Sequence, residues 1–257
     1  MKAVQIVAVT DIGRVREINE DYVFVCSLDE DGLALAILAD GMGGHLAGEV
    51  ASEEAVETIA DTIISALAEE KEYPDLESLI SYAVSDTNKR IYHRAMSNPD
   101  YKGMGTTIVL TLADKLKAII GHIGDSRAYL FADNELVQLT SDHTLVNQLV
   151  ISEKISSEEA EHHPQKNVLI RALGTDEEVE IELTTIDWKE TDILLLCSDG
   201  LTNKLSIAEL KEMISDQEMT LSEIAEAMVE AANHNGGEDN ISLIILRNVT
   251  ENLSELD

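Results

Sequence analysis

Thr106 to Leu139 reads TTIVLTLADKLKAIIGHIGDSRAYLFADNELVQL. Four apolar, β-branched runs stand in it: Thr106 to Leu112, Lys117 to Ile123, Arg127 to Phe131 and Leu136 to Leu139. Each has the length of a strand, and Val, Ile, Thr and Tyr suit a pleated, half-buried surface. The links Ala113-Asp114-Lys115 and Ala132-Asp133-Asn134-Glu135 are short and turn-like. A parallel crossover needs about a dozen residues or more, so links this short join antiparallel neighbours. The stretch predicts an antiparallel meander and a sheet-rich fold.

Upstream, Val4 to Val9 is a further apolar run. Tyr22 to Leu28 and Leu33 to Leu38 flank Asp29-Glu30-Asp31-Gly32 and read as a hairpin. That acidic tetrapeptide is similar to a fragment of a calcium loop. It lacks the remaining spacing, so a hairpin turn is the better reading. From Gly48 to Glu69 the pattern changes: Val50, Ala51, Ala55, Val56, Ile59, Ile63 and Leu67 recur at helical spacing. Pro74 opens a second helical stripe of Leu76, Leu79, Ile80, Ala83, Ile91 and Ala95. Downstream, Asp142 to Gly174 is irregular and predicts a short helix plus an exposed loop. Ile193 to Cys197 and Ile241 to Leu246 read as strands, with helices over Ile207 to Ile214 and Leu221 to Ala232 between them.

Strands and helices are segregated along the chain, which predicts an α+β fold. Two mainly antiparallel sheets packed face to face, each covered by an antiparallel helix pair, would bury every stripe. The expected architecture is a four-layer α-β-β-α sandwich. No linker or internal repeat divides the sequence, so residues 1–249 are expected to form one domain, with Thr250 to Asp257 a polar tail.

Composition narrows the partners. The 257 residues hold 18 Lys+Arg against 50 Asp+Glu, a net charge of −32. Such a surface repels nucleic acid and anionic membranes and attracts cations. The longest apolar run, Leu33 to Ala39, falls far short of the roughly 18 residues of a membrane span. Two distant cysteines, Cys26 and Cys197, suit a reducing compartment, so a cytoplasmic location is expected. There is no P-loop, GxSxG elbow, HExxH helix or Cys-based phosphate loop.

The chemistry lies in acids at strand ends. Asp40, Asp125 and Asp199 follow apolar runs; Glu20-Asp21 and Asp239 precede them. A carboxylate at the end of a buried strand is costly unless it is solvated, paired or bound to a cation. Alone, an Asp-Gly after a strand is usually a turn. Five such sites converging at one rim make an oxygen-only cluster suited to hard ions, Mg²⁺ or Mn²⁺. Arg16, just before Glu20, either pairs with Glu17 or Glu20 on the surface or grips a phosphate with its fork.

These residues fall in six ordered motifs. They are Thr10 to Asp21 (TDIGRVREINED), Leu38 to His45 (LADGMGGH), Gly103 to Thr107 (GMGTT), His122 to Arg127 (HIGDSR), Leu196 to Leu201 (LCSDGL) and Gly236 to Ile241 (GGEDNI). The set resembles the metal-dependent Ser/Thr protein phosphatases of type 2C in their bacterial form, nearly end to end. The resemblance implies that Asp40 bridges two metal ions, with the Gly41 carbonyl on one of them. It implies that Asp199 and Asp239 hold the first ion, and that Asp125 with Asp199 holds a third. Glu20 matches the second-metal position of animal relatives, whereas Glu20 and Asp21 of bacterial relatives act through waters. Arg16 becomes the phosphate clamp, and Asn240 orients Asp239 or a metal-bound water. Met42 stands where animal members carry a histidine proposed as general acid. His45 either serves nearby or caps the next helix, and a metal-bound water is the preferred acid.

The implied activity is hydrolysis of phosphoserine and phosphothreonine by a metal-activated bridging water. The implied partners are phosphorylated proteins, a bacterial Ser/Thr kinase and its substrates, or a stress-response regulator, and the implied state is a monomer. Asp142 to Gly174 matches the family's flap. Two other readings stand beside this one. A two-metal phosphodiesterase or nuclease conflicts with the charge and the lack of a basic groove. A non-catalytic binding module conflicts with the retained acids and Arg16.

Overall fold

A computed structural model describes residues 4–28, 32–43, 47–69 and 75–249. The acidic residues 29–31, His45, Pro74 and the tail from Thr250 lie outside the described residues.

Two antiparallel sheets lie face to face. The first joins β1 (Val4–Asp11), β11 (Ile241–Asn248), β10 (Ile193–Cys197), β7 (Arg127–Ala132) and β8 (Glu135–Gln138), in that order. The second joins β2 (Asp21–Ser27), β3 (Ala34–Met42), β5 (Ile108–Ala113), β6 (Lys117–Ile123) and β9 (Glu182–Asp187), with the short β4 (Gly105–Thr106) on the end of β3. Alternation along each strand assigns the layers. Ala34, Ala36 and Leu38 of β3 meet Leu194 and Leu196 of β10 and Ile244 and Leu246 of β11 between the sheets. Leu35, Ile37 and Ala39 point the other way, onto α1 (Ala47–Ala68) and α2 (Leu76–Ser97). On the opposite flank Leu195, Cys197, Leu243 and Ile245 pack against α6 (Ile207–Ile214) and α7 (Leu221–His234). Fully burying each Leu or Ile contributes roughly 1.5–3 kcal/mol, so both faces of both sheets must be covered. The predicted α-β-β-α order is the observed one.

The helix starts are specified locally. Asp75 caps α2 by accepting from Ser78 N–H at 2.7 Å. Ser206 with Glu209 and Thr220 with Glu223 form reciprocal capping boxes at α6 and α7. Residues 142–174 carry two short helices, α3 (Leu145–Ile151) and α4 (Ser157–Glu161), and otherwise irregular chain.

The meander differs from its expectation at one point. β5 pairs with β6 and β7 pairs with β8, but β6 and β7 belong to different sheets. Residues 124–126 carry the chain across the sandwich. Gly124 makes the crossing at φ +108, and a β-carbon there would stand 2.6 Å from the Thr107 side chain. The link between these two runs is short, but it connects layers rather than neighbouring strands. Among the short elements that add to the expected order are β9, on the edge of the second sheet, and α5 (Asp199–Thr202), a single turn after β10. Among the described residues no helix is long and apolar enough to cross a membrane.

Candidate active site

The strand ends that carry acids meet at one end of the sandwich. Arg16, Glu20, Asp40, Gly41, Met42, Gly43, Thr107, Asp125, Asn167, Leu169, Asp199 and Asp239 line a cavity of about 270 Å³. Asp40 comes from the end of β3, Asp125 from the crossing after β6, Asp199 from the first turn after β10, and Asp239 from the approach to β11. Six candidate ligands or clamps from both sheets thus converge on a common space, with the Gly41 backbone.

Backbone contacts hold this floor in place. Thr107 Oγ1 accepts the Asp40 N–H at 3.0 Å and shares a hydrogen bond with Ser126 Oγ at 2.7 Å. The Asp40 carbonyl accepts from Thr107 N–H and from Thr106 Oγ1–H, each at 2.9 Å. Gly41 N–H donates to the Glu20 carbonyl at 3.0 Å. A β-carbon on Gly41 would run into the Gly48 carbonyl, so the end of β3 lies against α1 only because residue 41 has no side chain. Asn240 does not line the cavity. Its Oδ1 accepts from Glu20 N–H at 2.8 Å, and its Nδ2 donates to the carbonyls of Ile12 and Ile18 at 3.0 Å each. It fixes the loop that presents Arg16 and Glu20.

Asp21 also stays outside the cavity lining. It is buried at the start of β2, opposite Asp40 in the ladder, where its Oδ2 accepts from Ser198 Oγ–H at 2.8 Å. Arg16 bridges two acids: Nη2 lies 2.8 Å from Asp239 Oδ1 and Nη1 lies 3.3 Å from Glu20 Oε2.

The electrostatics are those of crowded negative charge. Burial, then the charges of Asp21, Asp199, Asp125 and Asp239, pushes the Asp40 carboxyl well above the usual range. Burial pushes Asp21 up to about 7 despite the hydroxyls that bond it. Burial with Asp199 and Asp142 nearby pushes Asp125 up to about 7. Asp199 is raised by burial and by Asp239. Burial raises Glu20 against the pull of Arg16. Glu20 Oε1 and Asp21 Oδ1 are buried and lack a hydrogen-bond partner among the described residues. Orphaned carboxylate oxygens and mutually raised acids are the condition a hard divalent cation relieves. The residues present fit such an ion.

Several residues at this end were not marked as site residues from the sequence. Thr107 lies within the GMGTT motif, which was its available signal. Asn167 and Leu169 come from the 142–174 segment, and no spacing pointed to them. Arg127 grips Asp142 at the base of that segment, with Nε 2.9 Å from Oδ1 and Nη2 2.7 Å from Oδ2.

Behind Asp125, ligand-type atoms of His122, His143 and Glu182 lie within 4.8 Å of one another. Their hydrogen bonds describe a chain rather than a metal cage. Gly124 N–H donates to His143 Nδ1 at 3.0 Å, so the His143 proton sits on Nε2, which gives it to Glu182 Oε1 at 2.8 Å. His122 is pushed down to about 4 by burial and by His143, so it is neutral at neutral pH.

Residues 13–242 match the model of the Protein phosphatase 2C family. The serine/threonine phosphatase stp of Listeria monocytogenes is 42% identical over 247 residues, covering 94% of this chain and 95% of that protein. The S. agalactiae serine/threonine phosphatase superposes with a TM-score of 0.86 at 36% identity, over 96% of this chain and 100% of that one. The catalytic domain of the phosphatase PstP in complex with two manganese ions gives 0.82 at 36% identity, over 96% and 99%. With six motifs, the layered sandwich and the acidic cavity in agreement, the chain belongs to the protein phosphatase 2C family.

Proposed function

We propose that this phosphatase hydrolyses phosphoserine and phosphothreonine monoesters on proteins and depends on Mn²⁺ or Mg²⁺ for it. The observation that carries the reading is the convergence of Glu20, Asp40, Asp125, Asp199 and Asp239 with Arg16 on one cavity. The manganese ions of the PstP relative support the choice of metal.

Asp40, the Gly41 carbonyl, Asp199 and Asp239 would hold two such ions, and Asp125 with Asp199 would hold a third. Glu20 and Asp21, each with an orphaned oxygen, are assigned to waters around the ions. Bound there, hard divalent ions supply Lewis acidity and a water acidic enough to serve as nucleophile near neutral pH. The chain's own residues do the rest. Arg16 reaches the cavity from an exposed loop, so its fork can turn from Asp239 to two phosphoryl oxygens. There it neutralises charge that grows in the transition state. Met42 lines the cavity without a titratable proton, so the departing alkoxide takes its proton from water. Asn240 keeps the Arg16–Glu20 loop in register with Asp239.

Residues 1–249 act as one catalytic domain, with residues 142–174 as its flap. The enzyme works as a cytoplasmic monomer on phosphorylated proteins, opposing a Ser/Thr kinase. The test is phosphate release from a phosphothreonine peptide with Mn²⁺, with and without EDTA, beside Asp199→Asn. Release that needs the metal and vanishes in the variant supports the reading; no release from folded protein rejects it.

A further inference from the structure

Like Asp40, Asp125 is a cavity carboxylate whose side chain accepts no hydrogen bond from another described residue. Its aim is therefore set by the backbone on either side. On the Ser126 side, the hydroxyl bond to Thr107 ties it to the Asp40 strand. On the Gly124 side, two buried histidines close on one residue. Gly124 N–H donates to His143 Nδ1 at 3.0 Å. Its carbonyl accepts from His143 N–H at 2.7 Å and from His122 Nε2–H at 2.9 Å. The rings stack with centroids 4.5 Å apart. Gly124 itself sits at φ +108, a region where a chain without a side chain has much freedom to drift.

His143 is held in turn from outside. Its Nε2–H reaches Glu182 Oε1 at 2.8 Å, at the start of β9, and Arg171 Nη1 donates to the same oxygen at 3.1 Å. His143 and Arg171 both belong to the 142–174 segment, whose two ends close on each other through Leu145 N–H to the Val168 carbonyl (2.8 Å) and Ile170 N–H to the His143 carbonyl (2.9 Å).

We propose that His143 is a positioning residue for Asp125: it clamps Gly124, and Glu182 with Arg171 locks the clamp to β9 and the base of the flap. The proposal rests on Asp125 being a ligand of the weakest-bound cation. Residues that orient a metal ligand without touching the ion typically change metal affinity 10- to 100-fold when removed. The two ring nitrogens have separable tasks. His143→Asn places an amide oxygen near the Nδ1 position and keeps the acceptor for Gly124 N–H. His143→Gln reaches towards Glu182 but abandons Gly124. His143→Leu loses both.

The experiment is calorimetric titration of the metal-free full chain with Mn²⁺, with thermal unfolding of each variant alongside. Asp125→Asn defines the event that belongs to Asp125. His143→Leu and His143→Gln weaken that event about tenfold or more and leave the tighter events alone, while His143→Asn stays within about threefold of the wild-type chain. A structural histidine would lower thermal stability without this split. Equal isotherms for the Asn and Gln variants overturn the proposal, and that contrast decides even if the Leu variant does not fold. An Asp125→Asn isotherm identical to wild type removes the ligand reading and the proposal with it. An Asp125→Asn loss not mirrored in His143→Gln overturns the clamp alone.

Discussion

Asp21 and Asp40 stand directly opposite each other across the β2–β3 ladder, Asp40 lining the cavity and Asp21 buried beside it. Burial pushes Asp21 up to about 7 from an ordinary 3.8, and Asp40 lies well above its ordinary value for the same reason, reinforced by its neighbours. Raised folded-state values mean that folding favours the protonated forms. In the metal-free chain the Asp21 contribution is complete below pH 4 and is lost as pH rises through 7, and that of Asp40 is likewise lost as pH rises. At about 1.4 kcal/mol per unit, Asp21 alone weighs on the order of 4 kcal/mol at pH 8. The metal-free protein is therefore expected to melt lower at pH 8 than at pH 5. Mn²⁺, which takes the ionised forms, is expected to stabilise most at pH 8. Asp21→Asn should flatten the metal-free trend. A Tm that climbs from pH 5 to 8 without metal would sink the account.

Asp199→Asn tests the chemistry apart from the fold. Asp199 is hydrogen-bonded by Asn203 Nδ2 at 3.0 Å, a contact an amide can keep by presenting its own oxygen. One charge leaves a crowded acidic cluster, so the metal-free variant should melt no lower than wild type. Turnover should fall by at least a thousandfold, taken as about 4 kcal/mol of lost transition-state stabilisation. Phosphate release from a phosphothreonine peptide, normalised to folded protein by circular dichroism, makes the comparison. Wild-type turnover from the variant would rule out the ligand assignment.

Arg16 is tied up by the acids that would hold metal, 2.8 Å from Asp239 and 3.3 Å from Glu20. Arg16→Ala removes a cation from beside two carboxylates, so Mn²⁺ affinity should be equal or tighter in calorimetry. Phosphopeptide binding should weaken, because a charge-assisted hydrogen bond is worth about 1.5–3 kcal/mol, or roughly ten- to a hundredfold in KM. Arg16→Lys should recover only part of this, since an ammonium cannot make the paired contact. If Arg16→Ala weakens Mn²⁺ binding and spares KM, the clamp assignment is wrong.

The layers were legible in the sequence because strands buried on both faces read as continuous apolar runs. Leu35, Ile37 and Ala39 against Ala34, Ala36 and Leu38 is the clearest case, with both faces of β3 apolar and the strand central. β9 escaped because Glu182 to Asp187 is an edge strand, with only Leu183 and Ile186 half-buried and its other positions exposed. The acids at strand ends were legible one by one, each marked by the apolar run beside it. What could not be read was which ends meet. The passage of residues 124–126 between sheets is set by the partners of β6 and β7, not by the residues of the link. The His122–His143 stack depends on that passage. So does the Thr107–Ser126 contact, which joins residues nineteen positions apart.

That contact supplies a last test, at the hinge between the sheets and the cavity floor. Thr107 is buried, and its hydroxyl is the acceptor for Asp40 N–H at 3.0 Å and the partner of Ser126 Oγ at 2.7 Å. Thr107→Val removes the hydroxyl at nearly constant volume, so packing against Gly124 is kept while two polar groups lose their partner. A buried group left unsatisfied costs about 1–3 kcal/mol. In a chain of this size each kcal/mol moves Tm by roughly 2–4 °C. The valine variant should lose several degrees, and kcat should drop because Asp40 and Asp125 are no longer tied to one hydroxyl. Thr107→Ser, which restores the oxygen and omits only a methyl group, should recover most of kcat while regaining less of the Tm. That split separates the hydrogen bond from the packing. A valine variant with unchanged kcat would mean that Asp40 keeps its place through the Thr106 hydroxyl and the Thr107 N–H on its carbonyl alone.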